Sequence, residues 1–89
     1  MNTLKWSKKS LRQLKKLSAQ DSKTIYRTAQ TLKHFPDCQN VKRLSHHEYN
    51  YRLRIGNFRV LFDYDGKVNI VSIEEVKKRN ESTYSSTNH

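Results

Sequence analysis

Gly56-Asn57 stands between two alternating runs, Tyr51-Arg52-Leu53-Arg54-Ile55 and Phe58-Arg59-Val60-Leu61-Phe62. A glycine-led dipeptide in that setting is the local signature of a two-residue β-hairpin, and Gly in first place suits a type II′ turn, which needs a positive φ there. Counting outward from the turn sets the register: Ile55 faces Phe58, Arg54 faces Arg59, Leu53 faces Val60, Arg52 faces Leu61 and Tyr51 faces Phe62. Parity then sorts the side chains. Tyr49, Tyr51, Leu53, Ile55, Phe58, Val60, Phe62 and Tyr64 fall on one side of the sheet, and Arg52, Arg54 and Arg59 on the other. Like charges placed opposite one another destabilise a sheet, so folding alone gives no reason to set Arg54 against Arg59. An anionic ligand supplies one. A solvated face whose long cations discourage edge-to-edge aggregation is the other account.

Charge narrows the class of ligand. The 89 residues hold 18 Lys and Arg against 8 Asp and Glu, a formal net charge of +10. So large an excess on one small domain favours nucleic acid or another polyanion, through steering and counterion release, and a ribosomal or membrane-surface role fits the charge equally well. The lone cysteine, Cys38, excludes an internal disulfide and a cysteine-built zinc site, and it suits a reducing cytosol as an ordinary loop or half-buried thiol. No apolar run approaches the length of a membrane span, and Met1-Asn2-Thr3-Leu4-Lys5-Trp6 lacks the apolar core of a signal peptide. The expectation is a cytoplasmic protein with no membrane role.

Thr3 to Trp6 allows a first strand. Ser7 can cap a helix in which Leu11, Leu14 and Leu17 form a stripe among Lys8, Lys9, Arg12, Lys15 and Lys16. Asp21 is a candidate cap for a second helix with Ile25, Ala29 and Leu32 on one face, and that helix must finish near His34 because Pro36 drives Phe35 out of the helical region. Residues 36–48 read as an irregular connection. Asp65-Gly66 signals a second tight turn, leading into a strand over Lys67 to Val76 that is apolar on both parities, as befits a strand inside a sheet. If that turn also has two residues, Val60 meets Val71, Arg59 meets Ser72 and Leu61 meets Ile70, leaving an apolar patch of Leu61, Val68 and Ile70 that needs a cover. The order is β-α-α-β-β-β, an α+β fold with two N-terminal helices packed on one face of a mainly antiparallel four-stranded sheet. Residues 1–84 form a single domain, and 85–89 a flexible tail. Trp6, Tyr26 and Phe35 read as packing residues.

The chemistry gathers at the end of the last strand. Lys77-Lys78-Arg79 should come beside Arg59 and Arg54, with Tyr84 following. Arg gives planar, bidentate donation to phosphate and stays charged at any working pH, which suits it to stabilise charge on a scissile phosphate. It cannot act as a base. That role falls to Tyr84, Lys77, Lys78, His46 or His47. A Tyr amid arginines is drawn toward its phenolate and can accept the proton of a ribose 2′-hydroxyl, or it can stack on a nucleobase. A Tyr that pins the C-terminus to the sheet, and a solvated His46-His47 pair, are the structural alternatives. Adjacent histidines lack metal-ligand spacing, no Walker loop, dinucleotide fingerprint or nucleophile elbow is present, and no metal or cofactor is expected.

The Arg hairpin, the Asp65-Gly66 turn, the apolar strand after it and the Lys78-Arg79 … Tyr84 ending resemble the RelE/ParE superfamily of bacterial toxin-antitoxin toxins, over roughly residues 3–84. The resemblance implies a RelE-like fold. RelE-type members cleave mRNA in the ribosomal A site without a metal, whereas ParE-type members inhibit DNA gyrase. Both are held inactive by an acidic antitoxin, through which the toxin-antitoxin complex binds operator DNA. Matched residue by residue, Arg59 falls on the phosphate-stabilising Arg of the middle strand and Arg54 on a supporting basic position. Arg79 falls on the C-terminal active-site Arg and Tyr84 on the late Tyr; Arg52 and Asn50 stand where RelE carries lysines. The resemblance therefore implies a ribosome-dependent endoribonuclease, with Arg59, Arg79, Tyr84 and Arg54 catalytic. Arg52, Lys77, Lys78, His46 and His47 would lie along mRNA and ribosomal RNA.

Overall fold

The computed structural model describes residues 1–79. Strand β1 (Thr3–Trp6) leads into helix α1 (Lys8–Lys15), helix α2 (Ala19–Ala29) with a closing 3-10 turn (Gln30–His34), and strands β2 (Val41–Arg43), β3 (Tyr51–Ile55), β4 (Phe58–Asp65) and β5 (Ile70–Lys78). The sheet runs β1-β5-β4-β3-β2, antiparallel except that β1 lies parallel to β5. The fold is α+β, and the β3–β4 register is the one counted outward from Gly56-Asn57, with Arg54 opposite Arg59. Gly56 has φ +57. A Cβ there would meet no atom within 4 Å, so the demand for glycine comes from the backbone conformation and not from space.

Both helices begin where a serine accepts from the third residue on. Ser7 Oγ takes the Ser10 N–H, and Ser18 Oγ takes the Asp21 N–H. The second cap is Ser18 and not Asp21, which sits inside the first turn, where its carboxylate favours the positive end of the helix. The helical run stops at His34, and Phe35 turns to extended backbone ahead of Pro36. Leu14, Ile25, Ala29 and Leu32 of the helical layer bury against Leu53, Ile55, Val60, Phe62, Val71, Ile73 and Val76 of the sheet. Phe35 closes one end of this core, edge-on to Tyr51, Phe62 and Tyr64. Leu11 stays exposed, and Tyr26 lies on the surface stacked on Trp6 with ring centroids 5.5 Å apart.

The sheet departs from expectation on both sides of the hairpin. The stretch read as irregular contains a fifth strand, β2, which pairs Val41 with Leu53 and Arg43 with Tyr51. The β4–β5 connection is longer than two residues: Asp65 pairs with Ile70 and Tyr64 with Val71. Val68 therefore lies exposed in the turn, and the expected patch of Leu61, Val68 and Ile70 does not form.

A β-bulge interrupts the same ladder. Phe62 pairs with Ile73, but its neighbour Leu61 pairs with Glu75, so Glu74 has no partner across the strand. One extra residue reverses the facing of everything after it. Val76 thereby turns into the core opposite Val60, and Lys77 turns to the arginine side opposite Arg59. Helix α1 satisfies the backbone that the bulge frees. Ser7 Oγ donates to the Glu74 carbonyl at 3.0 Å, Ser10 Oγ to the Ile73 carbonyl at 3.2 Å, and the Val76 N–H donates to Gln13 Oε1 at 2.6 Å.

Candidate anion-binding cleft

The sheet face opposite the helices carries a cleft of about 290 Å³ lined by Leu44, His47, Arg52, Arg59, Leu61, Lys77, Lys78 and Arg79. Three local devices assemble it. The Gly56-Asn57 hairpin puts Arg52, Arg54 and Arg59 on one face, the bulge at Glu74 brings Lys77 to that face, and the Arg79 N–H bonds to the Asn57 carbonyl, extending the pairing past β5. The loop between β2 and β3, closed by the Leu44 N–H on the Asn50 carbonyl at 2.8 Å, supplies Leu44 and His47.

Electrostatics tie the arginines together. Arg59 is held below its ordinary value, first by partial burial and then by the charges of Arg52, Arg79 and Arg54. It remains a cation, but each neighbour raises the cost of its charge, which an anion would relieve. Its Nη1 donates to the carbonyls of Gly56 at 3.3 Å and Phe58 at 3.1 Å, so the hairpin's own backbone steadies the guanidinium. Arg52 buries its Nε with no hydrogen-bond partner among the described residues. A buried unsatisfied donor beside a cationic cleft is a place for an acceptor oxygen. Leu61, almost fully buried, forms an apolar floor that lowers the local dielectric and strengthens contacts made above it.

Arg52, Arg59, Lys77, Lys78 and Arg79 thus converge, with Arg54 beside them. Of the histidines, His47 lines the cleft and accepts the Tyr49 N–H at 3.1 Å through Nδ1. His46 takes a left-handed φ of 54° and does not line it. Tyr84 lies outside the described residues. Tyr49 is held above the ordinary phenol value by partial burial, Glu48, Glu75 and Glu74, which keeps it a neutral phenol at working pH. Leu61 lies on the arginine side, where strand parity puts it, without Val68 and Ile70 beside it as a patch; Leu44 escaped the sequence reading. Among the described residues no group of three or more His, Cys, Asp or Glu converges, and no helix is long and apolar enough to cross a membrane.

Comparison with known proteins agrees with this architecture. Residues 4–83 match the family described as ParE toxin of type II toxin-antitoxin system, parDE. No curated protein matches. Among solved structures, RelE in the archaeal RelE-RelB complex from Pyrococcus horikoshii OT3 is 21% identical with TM-score 0.75, the match covering 90% of this chain and 97% of that one. The isolated E. coli RelE toxin superposes with TM-score 0.76 at 16% identity over 98% and 95% of the two chains. The RelBE2 toxin-antitoxin complex from Mycobacterium tuberculosis gives 0.74 at 22%, covering 88% and 98%. The chain accordingly belongs to the ParE toxin family of type II toxin-antitoxin systems, within the RelE/ParE superfamily.

Proposed function

We propose that this toxin is a ribosome-dependent, metal-independent endoribonuclease that cleaves mRNA in the ribosomal A site and is neutralised in the cytoplasm by an acidic antitoxin. The observation that carries the proposal is the gathering of Arg52, Arg59, Lys77, Lys78 and Arg79 around one cleft, with Arg54 directly across the hairpin from Arg59, on a sheet face where folding alone disfavours such a cluster. In the reaction a base removes the ribose 2′-hydroxyl proton, the 2′-oxygen attacks the adjacent phosphorus, and the bond to the 5′-oxygen breaks. The products are a 2′,3′-cyclic phosphate and a 5′-hydroxyl that has taken up a proton. Arg59 and Arg79, supported by Arg54, stabilise the charge that builds on the phosphate oxygens. Arg52, Lys77 and Lys78 hold the flanking strand and ribosomal RNA. The base is Tyr84, His47 or a cleft lysine; the placement of His46 gives it the weaker claim. The antitoxin links the complex to operator DNA.

The experiment is mRNA cleavage in a translating extract by wild type, Arg59→Ala and Arg79→Ala. Loss of cleavage in both variants is the expected result, and equal cleavage by all three rejects the proposal. A second reading, a ParE-like inhibitor that binds DNA gyrase and catalyses nothing, is favoured by the family match over residues 4–83. It predicts inhibition of gyrase supercoiling by the purified chain and intact mRNA in the extract.

A further inference from the structure

The bulge at Glu74 gives Lys77 a particular pair of neighbours. Lys77 lies directly opposite Arg59, and Leu61, two residues along the same strand, shares their face. All three line the cleft of about 290 Å³, and Leu44 lines it with them. Long side chains reach both the direct and the diagonal neighbour across a strand pair, so the Lys77 amine has a guanidinium on one side and a buried leucine on the other. Arg52 adds a buried Nε with no hydrogen-bond partner among the described residues. Lys78 differs from Lys77. It pairs with Phe58, so parity turns it toward the helical side, and it lines both the cleft and a second cavity shared with Asp21 and Ile25. The cleft therefore joins a cationic end to an apolar floor, with a primary amine between the two. Inorganic phosphate would use only the cationic end, whereas a small molecule that carries a phosphate on a short apolar group uses both.

We propose that Lys77 is a modification site, acylated within the cleft by small acyl phosphates. The phosphate of such a mixed anhydride binds Arg59 and Arg52, its acyl group rests on Leu61 and Leu44, and its carbonyl carbon meets the amine. The free amine of Lys77 adds to that carbon, and the bond from carbon to the bridging oxygen breaks. Inorganic phosphate leaves with the electron pair, and the proton of the amine passes to water. The product is an amide at Lys77. Two effects favour this lysine over the others: the ligand is held beside the amine, and guanidinium groups stabilise the charge on the departing phosphate. An acyl group removes the charge of Lys77, so the modification weakens the surface that grips polyanions. The inference needs only that the cleft binds phosphate, and it is independent of whether the toxin acts on mRNA or on gyrase.

The test treats the full toxin with acetyl phosphate and maps the acetylated lysines by peptide mass spectrometry. Lys77 should react about 10-fold faster than Lys15 and Lys16, which are exposed on α1, and faster than Lys78. Inorganic phosphate should slow Lys77 alone, and Arg59→Ala should bring Lys77 down to the rate of Lys15. Acetic anhydride carries no phosphate and should show no such preference. Toxin acetylated once should bind single-stranded RNA more weakly, with its salt slope lower by about 1. Lys77→Arg keeps the charge without the reactive amine, and its affinity should survive the same treatment. Acetylation of Lys77 no faster than that of Lys15 and Lys16 overturns the inference. So does a preference that survives Arg59→Ala and excess phosphate, or one that acetic anhydride reproduces. A toxin that proves not to bind RNA leaves the mapping equally decisive.

Discussion

Arg54 sits directly across the β3–β4 hairpin from Arg59, and Arg59 also lies within electrostatic reach of Arg79, just past the end of β5. A like-charged cross-strand pair costs a fraction of a kcal/mol, and solvent around exposed Arg54 keeps the cost at the low end. Arg54→Thr removes the repulsion and puts a good strand former in its place. Urea unfolding should show the variant more stable by about 0.2–1 kcal/mol, while its affinity for single-stranded RNA falls. Stability and binding moving together in the same direction would show that the pair serves the fold and not a ligand.

Contacts with phosphate leave a salt signature. Arg59→Ala should weaken RNA binding uniformly across sequences and reduce the slope of log K against log salt by about 1. Fluorescence anisotropy of a labelled oligonucleotide at several salt concentrations measures it. An unchanged slope would mean that Arg59 does not touch the backbone.

Gln13 reaches from α1 to accept the Val76 N–H just past the bulge. Val76 is almost fully buried, so Gln13→Ala leaves that N–H without a partner and should cost about 1–3 kcal/mol. Gln13→Glu keeps an acceptor at the position and should recover most of the loss. Because the bulge also decides that Lys77 faces Arg59, the alanine variant should lose RNA affinity although Gln13 lies outside the cleft. Chemical denaturation and anisotropy on the same samples report both effects.

Cys38 is half-buried, and burial followed by the charge of Asp37 pushes its thiol above the ordinary value. The fold thus disfavours the thiolate, and the unfolded chain ionises first. As pH rises through the ordinary thiol value of about 8.5, the unfolded state gains relative to the folded one and stability falls. The stability of wild type minus that of Cys38→Ser should therefore decline between pH 7 and pH 10, and iodoacetamide should label the folded thiol more slowly than the unfolded one. A difference that grows with pH contradicts the assignment.

The hairpin was legible because its information is local: Gly56 needs a positive φ, and side chains alternate strictly on either side of it. The helices were legible from their stripes, although Ser18 took the cap expected of Asp21, since a serine three residues ahead accepts that residue's N–H. Strand β2 was hidden by its brevity and by the cations Lys42 and Arg43, which read as loop until β3 is there to pair with. The bulge was hidden for a deeper reason. Ile70 to Ile73 is apolar on both parities, so parity cannot locate an inserted residue, and the bonds that hold Glu74 come from Ser7 and Gln13, far away in the sequence. The same limit bears on the site. The approach of Arg79 to Arg59 was foreseen from a plain meander, whereas the structure reaches it through a longer turn and a bulge that place Lys77 opposite Arg59.

The central claim is that the guanidinium cluster acts on the backbone of translated mRNA. Primer extension on a reporter message in a translating extract, with and without its start codon, tests it most directly. The account predicts new 5′ ends inside the coding region when wild-type toxin meets the translated message, and none with Arg59→Ala or without the start codon. Intact message in every lane, together with inhibition of gyrase supercoiling by the same preparation, would contradict it.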